Sequence, residues 1–379
     1  MNEPEDPSVL PRAGGGSAVP MDRERPVRVV PFTPELLPAV RGFSERYWSR
    51  PRTAAYYDWR YLQSLPFSRM FVALQDDDCL GMLSALRKRY RVGGRPTACL
   101  EVFDWHSLPG LKGSGIGIRL MRAMMRQPEP VLSVGGTADV LATLPMMKWD
   151  RIGEARRYEL YVSGDIPADW LRRRVGLPPA LTRPVLGALA GLDAPRRRGV
   201  PATGRVVRIE ASGEEIGGLY RDETGYGFVQ EPEPEVLRWM TGGRWSGEYR
   251  LLTFLVEERL RGWALTRSHT TEFGREAAIV ELFAPRPDLA LYIWMVSEAA
   301  TSLMADRPLR LNARASCPLL QSALLANRFR ALGGEVPIHL WPRGAWDRSA
   351  PLHITLNHSD APLLPYSSGE RAGATPDRP

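Results

Sequence analysis

Short apolar runs with polar flanks punctuate the first part of the chain. Residues 27–30 and 70–74 read as strands. Between them, apolar residues recur every three or four positions and predict helices over 34–47 and 56–62. Asp76-Asp77-Asp78 reads as a turn, and 80–92 as the return strand of a hairpin. The Gly93-Gly94 turn leads to a strand over 97–105. A helix follows over 117–126, then a strand over 131–134. A second helix covers 138–147, with Pro145 an awkward member, and a closing strand covers 156–162. The predicted order is β-α-α-β-β-β-α-β-α-β, an α/β (α+β) pattern in one unit.

The order then recurs. Trp59 has a counterpart in Trp239, 180 residues on. Leu80-Gly81-Met82-Leu83 is echoed by Arg261-Gly262-Trp263-Ala264. Cys99-Leu100-Glu101-Val102-Phe103 is echoed by Ile279-Val280-Glu281-Leu282-Phe283. A near-constant offset at low identity argues for two copies of one fold. The copies are placed at 26–163 and 205–345, joined by an Arg- and Pro-rich linker over 164–204. Residues 1–25 read as a disordered tail, and 346–379 as a C-terminal extension, disordered from about 359.

Composition narrows the class. Of 379 residues, 44% are hydrophobic and 25% charged, which excludes wholesale disorder and fibrous repeats. Lys plus Arg exceed Asp plus Glu by 50 to 43, a mild excess that favours anionic ligands such as phosphates. The arginine triplets at 172–174 and 196–198 lack the interleaved aromatics of an RNA-binding module, so nucleic acid is not the expected partner. Three widely spaced cysteines and five scattered histidines offer neither a disulfide framework nor a metal motif, and no metal is expected. No apolar run reaches the ~18 residues of a membrane span. The acidic start Glu3-Pro4-Glu5-Asp6 is unlike a secretory signal, so the expected location is cytoplasmic.

The most informative stretch is Asp104-Trp105-His106-Ser107-Leu108-Pro109-Gly110-Leu111-Lys112-Gly113-Ser114-Gly115-Ile116-Gly117. It follows a predicted strand and opens a predicted helix, where backbone N–H groups can hold phosphate. Glycines at alternate positions let main chain approach an anion. A dinucleotide GxGxxG and a Walker A loop are both absent.

Pro109-x-x-Lys112-Gly113-x-Gly115-Ile116-Gly117 resembles the acetyl-CoA loop of the GNAT N-acyltransferases. Lys112 stands where that family has Arg or Gln, and Ser107 where it has Val. The resemblance covers residues 26–163. The second copy reads Ala284-Pro285-Arg286-Pro287-Asp288 at the matching place, has no glycine loop, and resembles the family in topology only. The resemblance implies a tandem GNAT fold, each copy a mixed, mostly antiparallel sheet flanked by helices. It implies that Ser107, Lys112, Gly113, Ser114, Gly115, Ile116 and Gly117 hold acetyl-CoA as acyl donor. A small-molecule, aminoacyl or amino-sugar acceptor would attack the thioester directly.

Within that frame Glu101 and Asp104 are the candidate bases, the alternative being that one of them pairs with the basic run Arg87, Lys88, Arg89 and Arg91. Their odd spacing puts them on opposite faces of a regular strand unless a bulge intervenes. His106 reads as a surface or hydrogen-bonding residue. The tyrosine that often serves the family as proton donor is replaced by Leu144, and Tyr158 and Tyr161 are substitutes only by proximity. Trp59 and Tyr61 lie where such folds form a substrate wall, although aromatics at helical spacing also build cores. The alternative to an enzyme is a non-catalytic scaffold that binds CoA or a partner.

Overall fold

Antiparallel pairing builds the first half from its edge inward. Strand β1 (Arg28–Pro31) pairs with β2 (Ser68–Gln75), β2 with β3 (Asp78–Val92), and β3 with β4 (Arg95–Ser107). Strand β2 is buried at every position but Arg69, as expected of a strand covered on both faces. In this computed structural model the described residues are 25–48, 52–111, 113–162, 203–209, 214–220, 225–242, 247–271, 274–286, 288–342 and 351–358. The tail read over 1–25 lies outside the described residues except for Arg25, the linker read over 164–204 except for 203–204, where a strand begins at Gly204, and the disordered end from 359 lies outside them.

Helix α1 (Leu37–Trp48) buries Val40 and Phe43. Helix α2 (Ala54–Tyr57), capped by Thr53, runs on into a π-helical turn over Asp58–Leu62. Helix α3 (Ile116–Met125) buries Ile116, Leu120, Met121 and Met124, one apolar stripe at helical spacing. Strand β5 (Val131–Val134) pairs parallel with β4 only at Leu100↔Val131 and Glu101↔Leu132. Beyond Glu101 the two strands part. Helix α4 (Ala138–Met146) and strand β6 (Asp150–Tyr161) complete this half.

The second half repeats the plan. Strand β7 (Gly204–Ile209), helix α5 (Glu214–Gly217), strand β8 (Phe228–Glu231) and helix α6 (Pro234–Gly242) come first. Strands β9 (Glu248–Val256), β10 (Arg259–Thr271) and β11 (Gly274–Phe283) form the meander, with β7 paired to β9. Helix α7 (Leu289–Met304), strand β12 (Arg310–Ala315), helix α8 (Pro318–Ala326) and strand β13 (Arg330–Trp341) follow, then β14 (Leu352–His353). Strand β12 runs parallel to β11 over Ala277↔Leu311 and Ala278↔Asn312.

The halves exchange their last long strands. Strand β6 pairs with β12, and β13 pairs with β5. The two exchanged strands also pair with each other. One sheet of 14 strands therefore runs from β1 to β7 through both halves. The predicted element order of the first half is observed, but its closing strand starts at Asp150 rather than 156. Residues 150–155 carry little apolar pattern of their own, and their partner is supplied from β13.

Two local features show the repeat directly. The Trp59 indole N–H donates to the Trp239 carbonyl at 3.0 Å, and the Trp239 indole N–H donates to the Trp59 carbonyl at 2.9 Å. The rings stack 5.2 Å apart. Gly81 and Gly262 each admit a helix against their strand. A Cβ on Gly81 would lie 2.9 Å from Ile116, and one on Gly262 would lie 2.6 Å from Met295. Trp59→Ala empties one side of the stacked pair and orphans a buried carbonyl. It should cost about 3–5 kcal/mol, read as a lower midpoint in chemical denaturation with an unchanged slope.

Candidate active site

Strand β4 hands the chain to a turn anchored by Leu108, whose N–H donates to the Leu80 carbonyl at 3.0 Å. A 3-10 turn, Pro109–Leu111, follows, and Ser114 N–H closes back on the Leu111 carbonyl at 3.0 Å. Gly113 and Gly115 hold φ of 85° and 78°, the left-handed region that glycine adopts freely. Gly115 is the N-cap of α3. A Cβ at either glycine would meet nothing within 4 Å, so the main chain there borders open space. The first N–H groups of α3 have no carbonyl four residues back and carry the positive end of the helix dipole.

The other predicted loop residues divide by role. Ile116 is buried and ties the helix to the sheet. Its N–H meets the Ser114 hydroxyl at 3.4 Å. The Gly117 carbonyl accepts from the Trp105 indole at 3.0 Å. Ser107 pairs with Gly81 at the end of β4. Lys112 lies outside the described residues.

The same place in the second half is built differently. Helix α7 is capped by Asp288, whose carboxylate accepts from Ala290 N–H at 2.9 Å. A carboxylate there satisfies the helix end and repels a second negative charge. The opening between β11 and β12 is filled by the chain itself. Residues 351–358 enter it, with Asn357 N–H on the Val280 carbonyl at 2.8 Å and Ser316 N–H on the Ile354 carbonyl at 2.9 Å. His353, Ile354, Thr355, Asn357 and His358 are all buried. Sequence reasoning left these residues in an extension. The alternation in Leu352-His353-Ile354-Thr355-Leu356 was the signal of a strand-like insert.

The two candidate bases occupy separate clusters. Asp104 sits at a bulge in β4, in the left-handed region at φ 50°. Its Oδ2 accepts from Arg60 Nη2 at 2.9 Å and from the Tyr61 hydroxyl at 3.3 Å. Arg60 is fully buried, and its guanidinium lies 4.7 Å from the centre of the Phe103 ring. Glu101 accepts from Lys88 Nζ at 3.1 Å on both oxygens and from the Tyr90 hydroxyl at 2.6 Å. Lys88 also donates to the Asn357 carbonyl at 3.0 Å, which ties Glu101 to the inserted segment. Burial pushes the Tyr90 hydroxyl well above its ordinary value, so it stays a donor. Lys88 belongs to the basic run 87–91 in which a partner was expected, whereas Arg60 is the partner that sequence reasoning missed.

Trp59 spends its polar atom on Trp239, and Tyr61 spends its hydroxyl on Asp104. Both are buried in the core rather than set along an open wall. His106 packs its ring on Tyr47 and Trp48, with centroids 4.6 and 5.3 Å apart. Leu144 is buried. The Tyr161 hydroxyl donates to Glu159 at 2.9 Å.

Around the insert, Glu281 accepts from Thr355 at 2.8 Å and meets His353 Nε2 at 3.1 Å. Burial opposes a charge on His353, but hydrogen bonds to Cys317 and Glu281 raise it to about 9. Burial opposes the Cys317 thiolate as well, yet His353 and the N-terminus of α8 lower the thiol. Those two shifts oppose each other with rising pH. His358 differs. Burial outweighs the pull of Glu101 and Glu281 and lowers it to about 4. Its stability contribution is present above the ordinary histidine value and is lost as pH falls from about 6.5 to 4, by about 3 kcal/mol. Urea unfolding followed from pH 7 down should weaken in that window, and His358→Gln should flatten it.

No family model matches the sequence, and no curated protein matches it. Solved structures do match. A protein from Enterococcus faecalis V583 described as a probable N-acyltransferase is 12% identical with a TM-score of 0.57, over 83% of this chain and 72% of that one. A GCN5-related N-acetyltransferase from Anabaena variabilis ATCC 29413 is 12% identical with a TM-score of 0.55, over the same shares. Saccharomyces cerevisiae N-myristoyltransferase with bound myristoyl-CoA is 12% identical with a TM-score of 0.57, over 89% of this chain and 86% of that one. The chain has the GNAT fold. At this identity the likeness is one of architecture. Within the GNAT fold the two halves differ in the feature that bears on a ligand: the first has a glycine-capped helix beside a parting pair of strands, and the second has an acid cap and an occupied opening.

Proposed function

We propose that this chain is an acyl-CoA-dependent N-acyltransferase that holds its donor, most simply acetyl-CoA, in the first half. The observation that carries this is the left-handed, glycine-capped N-terminus of α3 bordering open space at the point where β4 and β5 have parted. Main-chain N–H groups of Gly113, Gly115 and Gly117 would face the diphosphate, and the free edge of β4 past Glu101 would face the pantetheine amides. The donor brings an activated thioester: an amine forms the C–N bond, the C–S bond breaks, and the amine proton and the CoA thiolate are the charges to be handled.

The chain's residues then divide the work. The loop binds. Asp104 is proposed as a positioning residue, since its carboxylate already accepts from Arg60 and Tyr61 and holds both against the bulge. Glu101 is closed behind Lys88, Tyr90 and Asn357 and holds the insert in place. The amine proton then leaves by way of water.

Calorimetric titration with acetyl-CoA and with longer acyl-CoAs is the test, followed by thiol release with a panel of amines, aminoacyl and amino-sugar compounds among them. One equivalent bound per chain and thiol release with at least one amine are expected. No binding of any acyl-CoA would overturn the reading. Buried Leu144 and the ion-paired carboxylates favour a second reading, a CoA-binding scaffold without transfer. It predicts binding with no thiol release from any amine.

A further inference from the structure

Three arginines on one face of α3 meet no acid among the described residues. Arg119, Arg122 and Arg126 are exposed and follow one another at three- and four-residue spacing, so they stand in a row down the helix. With Val29 of β1 and Ala123 they line a recess of about 350 Å³. Among the described residues none of the three has a carboxylate within ion-pair distance. Arg46, Arg87, Arg89 and Arg151 each have one. Arg119 donates to the Val27 carbonyl at 2.9 Å, which turns its guanidinium toward the recess wall formed by β1.

Such a row is unfavourable alone. Like charges three and four apart on a helix repel. Arg119 also stands in the first turn, where the helix end disfavours a cation. An anion in the recess would relieve both. The lining joins half-buried Val29 and Ala123 to three exposed arginines, and the volume lies at the small end of ligand pockets. Positions 180 residues on hold Ala299, Ser302 and Asp306, so the row belongs to the first half alone.

We propose that this recess binds a small polyphosphorylated ligand, a nucleoside polyphosphate or an inorganic polyphosphate, at a site separate from the glycine loop. The proposal does not depend on the acyltransferase reading. The test is calorimetric titration of the full chain at ~150 mM salt with inorganic tripolyphosphate and with ATP, each with and without saturating CoA. One equivalent bound per chain is expected, with an affinity that CoA changes less than about threefold. The double substitution R122S/R126S should weaken that binding at least about tenfold. Tighter binding of ATP than of tripolyphosphate would assign a nucleotide, and the reverse a bare polyphosphate.

Four results would overturn it: no binding of either probe, binding that the double substitution leaves unchanged, mutual exclusion with CoA, or a short RNA bound at least about tenfold more tightly than ATP through the same arginines.

Discussion

Gly115→Glu should abolish acyl-CoA binding and leave the fold intact. Gly115 holds φ of 78° as the N-cap of α3, so any side chain there is strained by about 1–2 kcal/mol. The strain is tolerable because a Cβ would meet nothing within 4 Å. The carboxylate itself, however, would point from the helix end into the space assigned to the diphosphate. It would place a negative charge at the helix end, as Asp288 does at the start of α7. A loss of at least ~100-fold in affinity is expected, about 2.7 kcal/mol. Gly115→Ala, with the same strain and no charge, should lose about tenfold or less. Calorimetry gives the affinities and circular dichroism the fold. Affinity within about twofold of wild type for Gly115→Glu would remove the loop from the donor site.

The repeat and the loop were legible in sequence because each rests on local chemistry. Trp59 and Trp239 kept both residue type and spacing, and they proved to be one reciprocal pair. Gly81 and Gly262 kept theirs because a helix crosses each strand at a distance that admits no Cβ. The turn from β4 into α3 was readable because glycine is the residue that left-handed φ requires.

Partners across the chain left no such trace. Alternation marks a strand but not its neighbour, so the exchange of β6 and β13 between halves could not be read from either strand. The same limit hid the partner of Asp104. Arg60 and Asp104 stand 44 residues apart, whereas Lys88, 13 residues from Glu101 on the neighbouring strand, lay in the basic run where a partner was expected. Trp59 and Tyr61 looked like a substrate wall because an aromatic cluster has the same pattern whether it faces a ligand or a second copy of the fold. The insert at 351–358 fell beyond the second copy, so the repeat gave it no counterpart.

The buried Arg60–Asp104 pair carries the second large effect. Each partner was taken out of water, so removing one leaves the other charge unpaired in the core. Asp104→Asn should therefore cost about 3–5 kcal/mol, and lower the thermal midpoint by roughly 2 °C for each kcal/mol in a chain of this size. Replacing both, as in Arg60→Met with Asp104→Leu, removes the two desolvation costs together, and stability should recover part of that loss, short of wild type by the cost of the orphaned Tyr61 hydroxyl and of leucine at φ 50°. That double variant also separates positioning from proton transfer. If Asp104 acts by holding Arg60 and Tyr61 against the β4 bulge, a packed apolar pair keeps the strand in place, and transfer should stay within about tenfold of wild type. A base that takes the amine proton cannot be replaced by leucine, and its loss would lower transfer by about 100-fold to 10,000-fold in a protein that still binds the donor. A stable double variant with normal acyl-CoA affinity and no transfer would thus make Asp104 the base and overturn its assignment as a positioning residue.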